Sequence, residues 1–163
     1  MNAVKIITGS RDSGKTLKIQ ELYRSAGAGD GFVSLKCMQE KIVTGYDLMR
    51  LDTGEKWPLA RRKDIVPVTW DEINVKGSFS FSEKGIAAAD DIIDDLLRRS
   101  IEPVFMDEIG RLELQGGGFQ GALKRLIGSG LSCVISVRKN CLYEVIRDFS
   151  ISQYLVIDVE DCS

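Results

Sequence analysis

The hydrophobic pattern of this chain alternates between short apolar runs and longer stretches in which apolar residues recur at helical spacing. The apolar runs predict β-strands at 4–8, 32–35, 103–106, 131–137 and 154–157. The periodic stretches predict helices at 15–25, 83–99, 119–128 and 139–148. Strands that alternate with helices indicate a mostly parallel sheet with right-handed crossovers and helices on its faces. The predicted fold class is therefore α/β.

Residues 42–70 interrupt this alternation. Two stretches rich in apolar residues, 45–51 and 57–60, flank the sequence Asp-Thr-Gly-Glu at 52–55, which favours a hairpin turn. Residues 66–70 are a candidate for another short strand. We predict a small antiparallel β insertion over about 42–70, within a single domain that covers residues 1–163.

Composition narrows the range of partners. The chain has 163 residues, of which 44% are hydrophobic, and its 22 basic and 24 acidic residues give a formal net charge of −2. This balance provides no bulk attraction to nucleic acid or to anionic membranes, so neither is an expected partner. No apolar run approaches the roughly 20 residues that span a bilayer. The N-terminus leads directly into a predicted strand, so we expect no signal peptide.

The cysteines are spaced without a C-x-x-C pair, and the chain has no histidine, so a structural zinc site is not expected. Cys37 and Cys133 lie in apolar, strand-like runs and are predicted to be small core residues. This cysteine usage favours a cytoplasmic location. Without histidine, any general base must be a carboxylate, a lysine or a tyrosine.

The sequence Gly-Ser-Arg-Asp-Ser-Gly-Lys-Thr at 9–16 follows the first predicted strand and opens the first predicted helix. It matches the phosphate-binding loop pattern G-x-x-x-x-G-K-[ST] in its strand–loop–helix setting. In such a loop, backbone amides bind phosphate oxygens, the lysine reaches the β- and γ-phosphates, and the final hydroxyl binds Mg²⁺. The sequence therefore predicts a nucleoside triphosphate ligand and a Mg²⁺ cofactor. The expected nucleotide-binding residues are Gly9, Ser10, Arg11, Asp12, Ser13, Gly14, Lys15 and Thr16.

Two acidic residues, Asp107 and Glu108, follow the apolar run at 103–106. After a phosphate loop, such a pair has the form of a Walker B segment. Asp107 would then hold Mg²⁺ together with Thr16, and Glu108 would activate the attacking water. The carboxyl ends of parallel strands meet at one edge of a sheet, so these acids and Arg138 are expected beside the phosphate loop. Hydrolysis of a nucleoside triphosphate is the leading hypothesis.

The sequence Asp-Glu-Ile-Gly-Arg-Leu-Glu-Leu at 107–114 resembles the D-E-I-G-x-M-E-L signature of the small P-loop nucleoside-triphosphatases related to the cancer-related nucleoside-triphosphatase. Gly-Tyr-Asp-Leu at 45–48 and Trp-Pro-Leu-Ala-Arg at 57–61 also resemble that family's middle segment. The resemblance covers most of the chain, to about Arg147. It implies a RecA-like core and slow, Mg²⁺-dependent hydrolysis of ATP and other nucleoside triphosphates. Arg11, Asp12 and Leu17 depart from the family's phosphate loop.

Charge that develops on the transferred phosphoryl group usually needs a cation beyond the loop lysine. Arg111 is the arginine nearest in sequence to the two acids, and Arg138 follows a predicted strand. Arg61 and Arg62, in the insertion, are further candidates that would have to swing over the nucleotide. The candidate catalytic residues are Lys15, Glu108, Arg111 and Arg138.

Two other functions fit the same phosphate loop. A nucleotide or nucleoside kinase would need an acceptor pocket and usually an arginine-rich lid, for which 61–63 is the candidate. A nucleotide-driven switch would use the glycine loop at 116–118, or the insertion, to dock a protein or RNA. Tyr46 and Trp57 are candidates either for stacking on a nucleobase or for local packing. There is no N-K-x-D guanine-reading motif, so ATP or a broad range of nucleotides is favoured.

Overall fold

The structure, a computed structural model, describes residues 3–161 as strands and helices that alternate along much of the chain. The strands are β1 (Val4–Gly9), β2 (Asp30–Gln39), β3 (Ile42–Arg50), β4 (Lys56–Arg62), β5 (Glu72–Lys76), β6 (Phe79–Ser82), β7 (Val104–Ile109), β8 (Cys133–Arg138) and β9 (Tyr154–Asp158). The helices are α1 (Lys15–Ala26), α2 (Glu83–Arg98), α3 (Arg111–Leu114), α4 (Gln120–Ser129) and α5 (Leu142–Asp148). Short 3₁₀ turns occupy Lys63–Ile65 and Lys139–Cys141.

The strands of the described residues form one sheet in the order β5-β6-β4-β3-β2-β7-β8-β1-β9. The half from β2 to β9 is parallel, and the half from β2 to β5 is antiparallel. This arrangement confirms the predicted RecA-like, mostly parallel core with an antiparallel part. Strand β8 lies between β1, which leads into the phosphate loop, and β7, which carries the two acids.

The two halves of the sheet share strand β2, which is longer than the predicted 32–35. Its first residues pair in parallel with β7, and its remaining length pairs antiparallel with β3. In the outer half of β2, partly buried residues alternate with exposed ones such as Lys36. This half therefore lacks the continuous apolar run that marks a buried strand. The antiparallel part is thus a continuation of the main sheet, and its strands extend beyond the predicted end near 70.

The candidate strand at 66–70 is wrong. Pro67 has no N–H to donate to a ladder, the Trp70 amide donates to the Pro67 carbonyl at 3.0 Å to form a turn, and Val68 is fully exposed. The hairpin at this end of the sheet lies later, where β5 and β6 are joined around Gly77, which has φ +59°. The helix predicted at 139–148 is shorter in the structure. Residues 139–141 form a 3₁₀ turn, and α5 starts at Leu142.

Helices cover both faces of the sheet. Helix α1 buries Ile19 against Ile7, Val33, Phe105 and Val134, while α2, α4 and α5 pack on the opposite face. The Ser82 hydroxyl accepts a hydrogen bond from the Gly85 amide at 2.9 Å and is the N-cap of α2. With both faces covered, the carboxyl edge of the parallel strands is where a ligand can reach polar groups. None of the helices in residues 3–161 is long and apolar enough to cross a membrane.

Candidate active site

The phosphate loop connects the end of β1 to the start of α1. Gly14 has φ +100°, a left-handed conformation that favours glycine, and no side chain caps the helix N-terminus that follows it. The backbone amides of the first turn of α1 are therefore open to an anion. Gly9 is needed for a different reason: a Cβ there would lie 2.7 Å from Val159 Cγ2 and would also overlap the Ser13 hydroxyl.

The side chain of Lys15 extends back toward the start of this loop. Its ammonium group donates to the Ser10 carbonyl at 2.7 Å and to the Gly9 carbonyl at 3.2 Å. The residue is 8% exposed, and burial lowers the pKa of its ammonium group. A desolvated cation held inside the loop binds a phosphate more strongly than one on the open surface.

Asp12 adds a negative charge to the loop, and its position limits the effect of that charge on phosphates. It has φ +59°, and its carboxylate forms an ion pair with Lys36 of β2. The hydrogen bond from Lys36 is the main cause that lowers the pKa of Asp12. Arg11 beside it is exposed. The partner of this aspartate is therefore Lys36 on β2, which is separated from β1 by two strands.

Asp107 lies at the centre of the site and is fully buried. Its Oδ2 accepts a hydrogen bond from the Thr16 hydroxyl at 2.7 Å and one from the Ser34 amide at 3.1 Å, and its Oδ1 accepts a short one from the Ser136 hydroxyl. Burial, together with the charge of the adjacent Glu108, raises the pKa of Asp107 to about 6. A cation beside a buried carboxylate of this kind stabilises its charged form.

A β-bulge separates the roles of the two neighbouring acids. Met106 pairs with Ile135 and Ile109 pairs with Val137, so two residues of β7 face the single Ser136 of β8. Glu108 has φ +69°, and its amide donates to the Ser136 hydroxyl at 2.8 Å. In a regular strand the two side chains would point to opposite faces. The bulge buries the first acid against the helix N-terminus and leaves the second to line a cavity.

The residues at Asp107 fit a magnesium ion. Thr16 and Asp107 place a hydroxyl and a carboxylate 2.7 Å apart beside the phosphate loop. Mg²⁺ is usually held by one or two carboxylates, waters and substrate phosphates, without a complete protein cage. Residues 3–161 contain no cluster of three or more acidic or cysteine side chains that could hold a metal ion.

The candidate arginines are distributed unevenly around the site. Arg138 pairs with Gly9 in the sheet register and lines the same cavity as Glu108. Arg111 points elsewhere: it is half exposed and forms an ion pair with Glu144 at 3.2 Å. Arg61 is held by Asp47 at 2.7 Å, and Arg62 pairs with the nearby Asp64 at 2.8 Å. Arg138 is therefore the predicted arginine that the fold brings to the acids.

A lysine from the antiparallel part supplies a second cation, which the sequence did not single out. Lys76, at the end of β5, lines the cavity with Glu108 and Arg138, and its ammonium group comes within 3.8 Å of the position that a Cβ of Gly110 would take. Burial and the charge of Arg138 lower the pKa of Lys76. Among residues 3–161, neither Lys76 nor Arg138 forms an ion pair. Only the pairing of β5 with β6 brings Lys76 here, so no local sequence signal marks it.

The remaining signature and aromatic residues shape the walls of the cavity. Glu113 is buried, and its carboxylate accepts hydrogen bonds from the Gly110 amide at 2.8 Å and the Phe119 amide at 3.0 Å. It thereby ties both ends of the segment after β7, which includes the glycine loop at 116–118. Tyr46 lines the cavity, whereas Trp57 packs against the hydrophobic core. Of these two aromatic residues, Tyr46 is the one whose position allows stacking on a ligand.

The end of the chain braces the phosphate loop from outside. Glu160 accepts hydrogen bonds from the Ser10 amide at 2.7 Å and the Ser10 hydroxyl at 2.8 Å. The Val159 amide donates to the Thr8 carbonyl at 2.9 Å, which extends the pairing of β9 with β1. Glu160 is distant in sequence from the loop that it contacts, as Ser34 and Ser136 are from Asp107, and it belongs to no recognisable motif.

The parallel sheet, the phosphate loop and the paired acids at its carboxyl edge define a P-loop nucleoside-triphosphatase fold. The family model described as NTPase matches residues 5–161, so the chain belongs to that family and is a nucleoside-triphosphatase. This result confirms the family suggested by the signature at 107–114.

Two solved structures share the fold. THEP1 from the hyperthermophile Aquifex aeolicus has a TM-score of 0.74 and 18% identity, over 97% of this chain and 90% of that one. A human cancer-related nucleoside triphosphatase has a TM-score of 0.66 and 22% identity, over 99% of this chain and 91% of that one. No curated protein sequence matches the chain significantly.

Proposed function

We propose that this protein hydrolyses ATP and other nucleoside 5′-triphosphates to the diphosphate and phosphate in a Mg²⁺-dependent reaction. The observation that carries the proposal is the bulge in β7. It places the Glu108 carboxylate in the cavity next to the phosphate loop, directly beside the buried Asp107. Within residues 3–161 that carboxylate accepts no hydrogen bond. It is therefore able to take a proton from a bound water.

The proposed roles follow from these positions. The amides of the loop and the Lys15 ammonium group hold the phosphates, and Thr16 and Asp107 hold Mg²⁺. When bound, the metal neutralises charge on the β- and γ-phosphates. Glu108 orients a water toward the γ-phosphorus and accepts its proton as the oxygen attacks.

Arg138 and Lys76 are the proposed cations for the transition state. Both line the cavity that holds Glu108, and both lack an ion pair in the described part of the chain. Preorganised cations at the place where phosphoryl charge develops are among the largest catalytic contributions. Arg111 does not share this position, because it is paired with Glu144 on the surface. We therefore assign the transition-state role to Arg138 and Lys76.

The phosphate groups carry most of the recognition in this proposal, which favours broad nucleotide use. The protein is proposed to work in the cytoplasm, where free thiols persist. Among residues 3–161, Cys37, Cys133 and Cys141 form no disulfide with one another, and the latter two are buried. Cys37 is only partly buried, in contrast to its predicted core position.

The decisive measurement replaces the proposed base. Glu108→Gln should lower the rate of phosphate release from MgATP by about 10² or more, because a positioned base contributes about 10²–10⁴. Nucleotide affinity should remain near the wild-type value. Glu144→Gln is a matched control, since Glu144 lies on the surface and pairs with Arg111. A wild-type turnover in Glu108→Gln would contradict the assignment.

Substrate and metal dependence need a second experiment. Phosphate release should be measured over a panel of nucleoside tri-, di- and monophosphates, with Mg²⁺ and with EDTA. We expect release from the triphosphates only, abolished by EDTA and restored by added Mg²⁺. Equal release with EDTA would contradict the role given to Thr16 and Asp107.

A further inference from the structure

The cavity next to Glu108 is larger than hydrolysis requires. It has a volume of about 390 Å³, whereas a water molecule occupies roughly 30 Å³ in the liquid. The wall is formed by the hairpin between β5 and β6, by residues of β3 and β4, by α2, and by the segment after α3. Small-molecule sites are typically cavities of about 300–1,000 Å³ with apolar walls and a few polar groups. This cavity has the size of such a site.

The position of the cavity places it beyond the γ-phosphate. Arg11 is the phosphate-loop residue in its lining; Gly14, Lys15 and Thr16 do not contribute. The amides of the loop near the helix hold the α- and β-phosphates, and the lysine reaches the β- and γ-phosphates. The base and sugar of the bound nucleotide therefore extend away from this cavity. Whatever fills the cavity approaches the γ-phosphorus from the side of Glu108.

One polar group in the wall lacks a partner. Ser34 is 5% exposed and lines the cavity, and its hydroxyl has no hydrogen-bond partner among the described residues. Buried hydroxyl groups in proteins are nearly always hydrogen-bonded. The Ser34 amide donates to Asp107, so this hydroxyl lies on the strand adjacent to the two acids. An additional hydroxyl-bearing molecule would satisfy it.

The rest of the wall is aromatic and aliphatic. Tyr46 and Phe79 meet edge to face with ring centroids 5.5 Å apart, and Phe119 and Ile86 close the lining nearby. Such a surface suits a flat heterocycle, since aromatic rings contribute stacking energy beyond their buried area. The polar end, with Ser34 and Glu108, suits a sugar hydroxyl. Lys76 and Arg138 line the same cavity, and with a triphosphate in the phosphate loop they would face its γ-phosphoryl group.

We propose that the cavity binds a nucleoside whose sugar hydroxyl accepts the γ-phosphoryl group in competition with water. The inference rests on the proposed function, because it uses the same base and the same bound triphosphate. The acceptor oxygen forms a bond to the γ-phosphorus, and the bond from that phosphorus to the β–γ bridging oxygen breaks. The hydroxyl proton passes to Glu108, and the products are a nucleoside monophosphate and a nucleoside diphosphate.

The test uses the full-length protein with MgATP labelled at the γ-phosphate. Adenosine, guanosine, cytidine, uridine and thymidine are added one at a time, and the labelled products are separated. The expected result is a labelled nucleoside monophosphate with at least one of them, with a matching decrease in free labelled phosphate. Free phosphate as the sole labelled product with all five overturns the acceptor site and leaves the hydrolase intact. No labelled product of either kind overturns both proposals.

A variant gives an independent readout. Tyr46→Ala should raise the KM for the accepted nucleoside by about tenfold and lower the ratio of transfer to hydrolysis. Tyr143→Ala is the matched control, because Tyr143 is 84% exposed and lies outside the cavity. Thermal melting of both variants checks that they are folded. An unchanged nucleoside KM in folded Tyr46→Ala overturns the placement of the nucleoside in this cavity.

Discussion

At the scale of single residues, the site depends on conformations that ordinary strands do not adopt. Glu108 is held in the left-handed region by the bulge, at a cost on the order of 1–3 kcal/mol for such a residue. The hydroxyl of Ser136 accepts from the Glu108 amide and donates to Asp107, so one side chain supports both acids. Residues of this kind cluster at functional sites, where the rest of the fold sustains the strain.

Lys76 gives the pH-dependent prediction at this scale. Burial lowers its pKa, and Arg138, Glu108, Glu113 and Arg11 are the charges that face it. A cation is present below its pKa and is lost as the pH rises through it, so kcat/KM should fall on the alkaline side earlier than for an ordinary lysine. Lys76→Arg should move this fall to higher pH, because a guanidinium group stays charged.

The pH profile of kcat/KM for MgATP hydrolysis provides the measurement. Lys76→Ala should also lower kcat/KM at neutral pH by about 10², the size typical of a lost transition-state donor. Arg62→Ala is a suitable control, since Arg62 pairs with Asp64 away from the cavity. An alkaline limb that stays in place in Lys76→Arg would show that Lys76 is not the titrating cation.

At the scale of secondary-structure elements, the phosphate loop is supported from two sides. Lys36 of β2 pairs with Asp12, and the segment after β9 reaches Ser10 through Glu160. The loop therefore owes its shape to contacts from β2 and from the segment after β9, as well as to its own glycines. The ion pair with Lys36 explains how the loop accommodates the negative charge of Asp12.

Removal of the C-terminal brace should loosen nucleotide binding. Glu160→Ala deletes the acceptor for both the amide and the hydroxyl of Ser10, so we expect a severalfold weaker affinity for a fluorescent ATP analogue. The rate at saturating nucleotide should change little, since Glu160 does not line the cavity. Asp161→Asn, next along the chain and exposed, should bind as the wild type does. Unaltered affinity in Glu160→Ala would show that the loop holds its shape without the brace.

At the scale of the whole molecule, the parallel and antiparallel halves share one core. Phe32 lies on β2, where the two halves meet, and is fully buried. Its hydrophobic cluster joins Leu48 and Leu59 of the antiparallel strands to Ile6 and Ile135 of the parallel ones. The cavity lies between these same halves, with Glu108 from one and Lys76 from the other. We propose that residues 1–163 behave as one domain.

A core shared by both halves of the sheet predicts a single unfolding transition. Both tryptophans, Trp57 and Trp70, lie in or beside the antiparallel strands, so fluorescence reports that half, whereas far-UV circular dichroism reports the helices of the whole molecule. The two denaturation curves should coincide. Phe32→Ala should shift both together, with a loss of about 3–5 kcal/mol. Val68→Ala, at a fully exposed position, should shift neither. Separate transitions would contradict a single cooperative unit.

Motifs with a fixed local geometry were recognisable from the sequence. The loop at 9–16 brings its own amides, lysine and hydroxyl together within a few residues, so its ligand class follows from the sequence itself. The pair at 107–108 was recognisable because an apolar strand ends there. The 66–70 strand failed because a proline and an exposed valine mimic a short β pattern without a partner to pair with.

The sequence by itself determined the α/β class, the phosphate loop, the acidic pair and the family, because each depends on neighbouring residues. Only the tertiary structure decided which cations face those acids, since Lys76 reaches them from a hairpin that is distant in sequence and Arg111 is drawn away by Glu144. It also decided that the two acids diverge at a bulge and that a cavity opens beyond them. These features arise because strands far apart in the chain become neighbours in the sheet, and a local pattern of residues does not determine which strands do so.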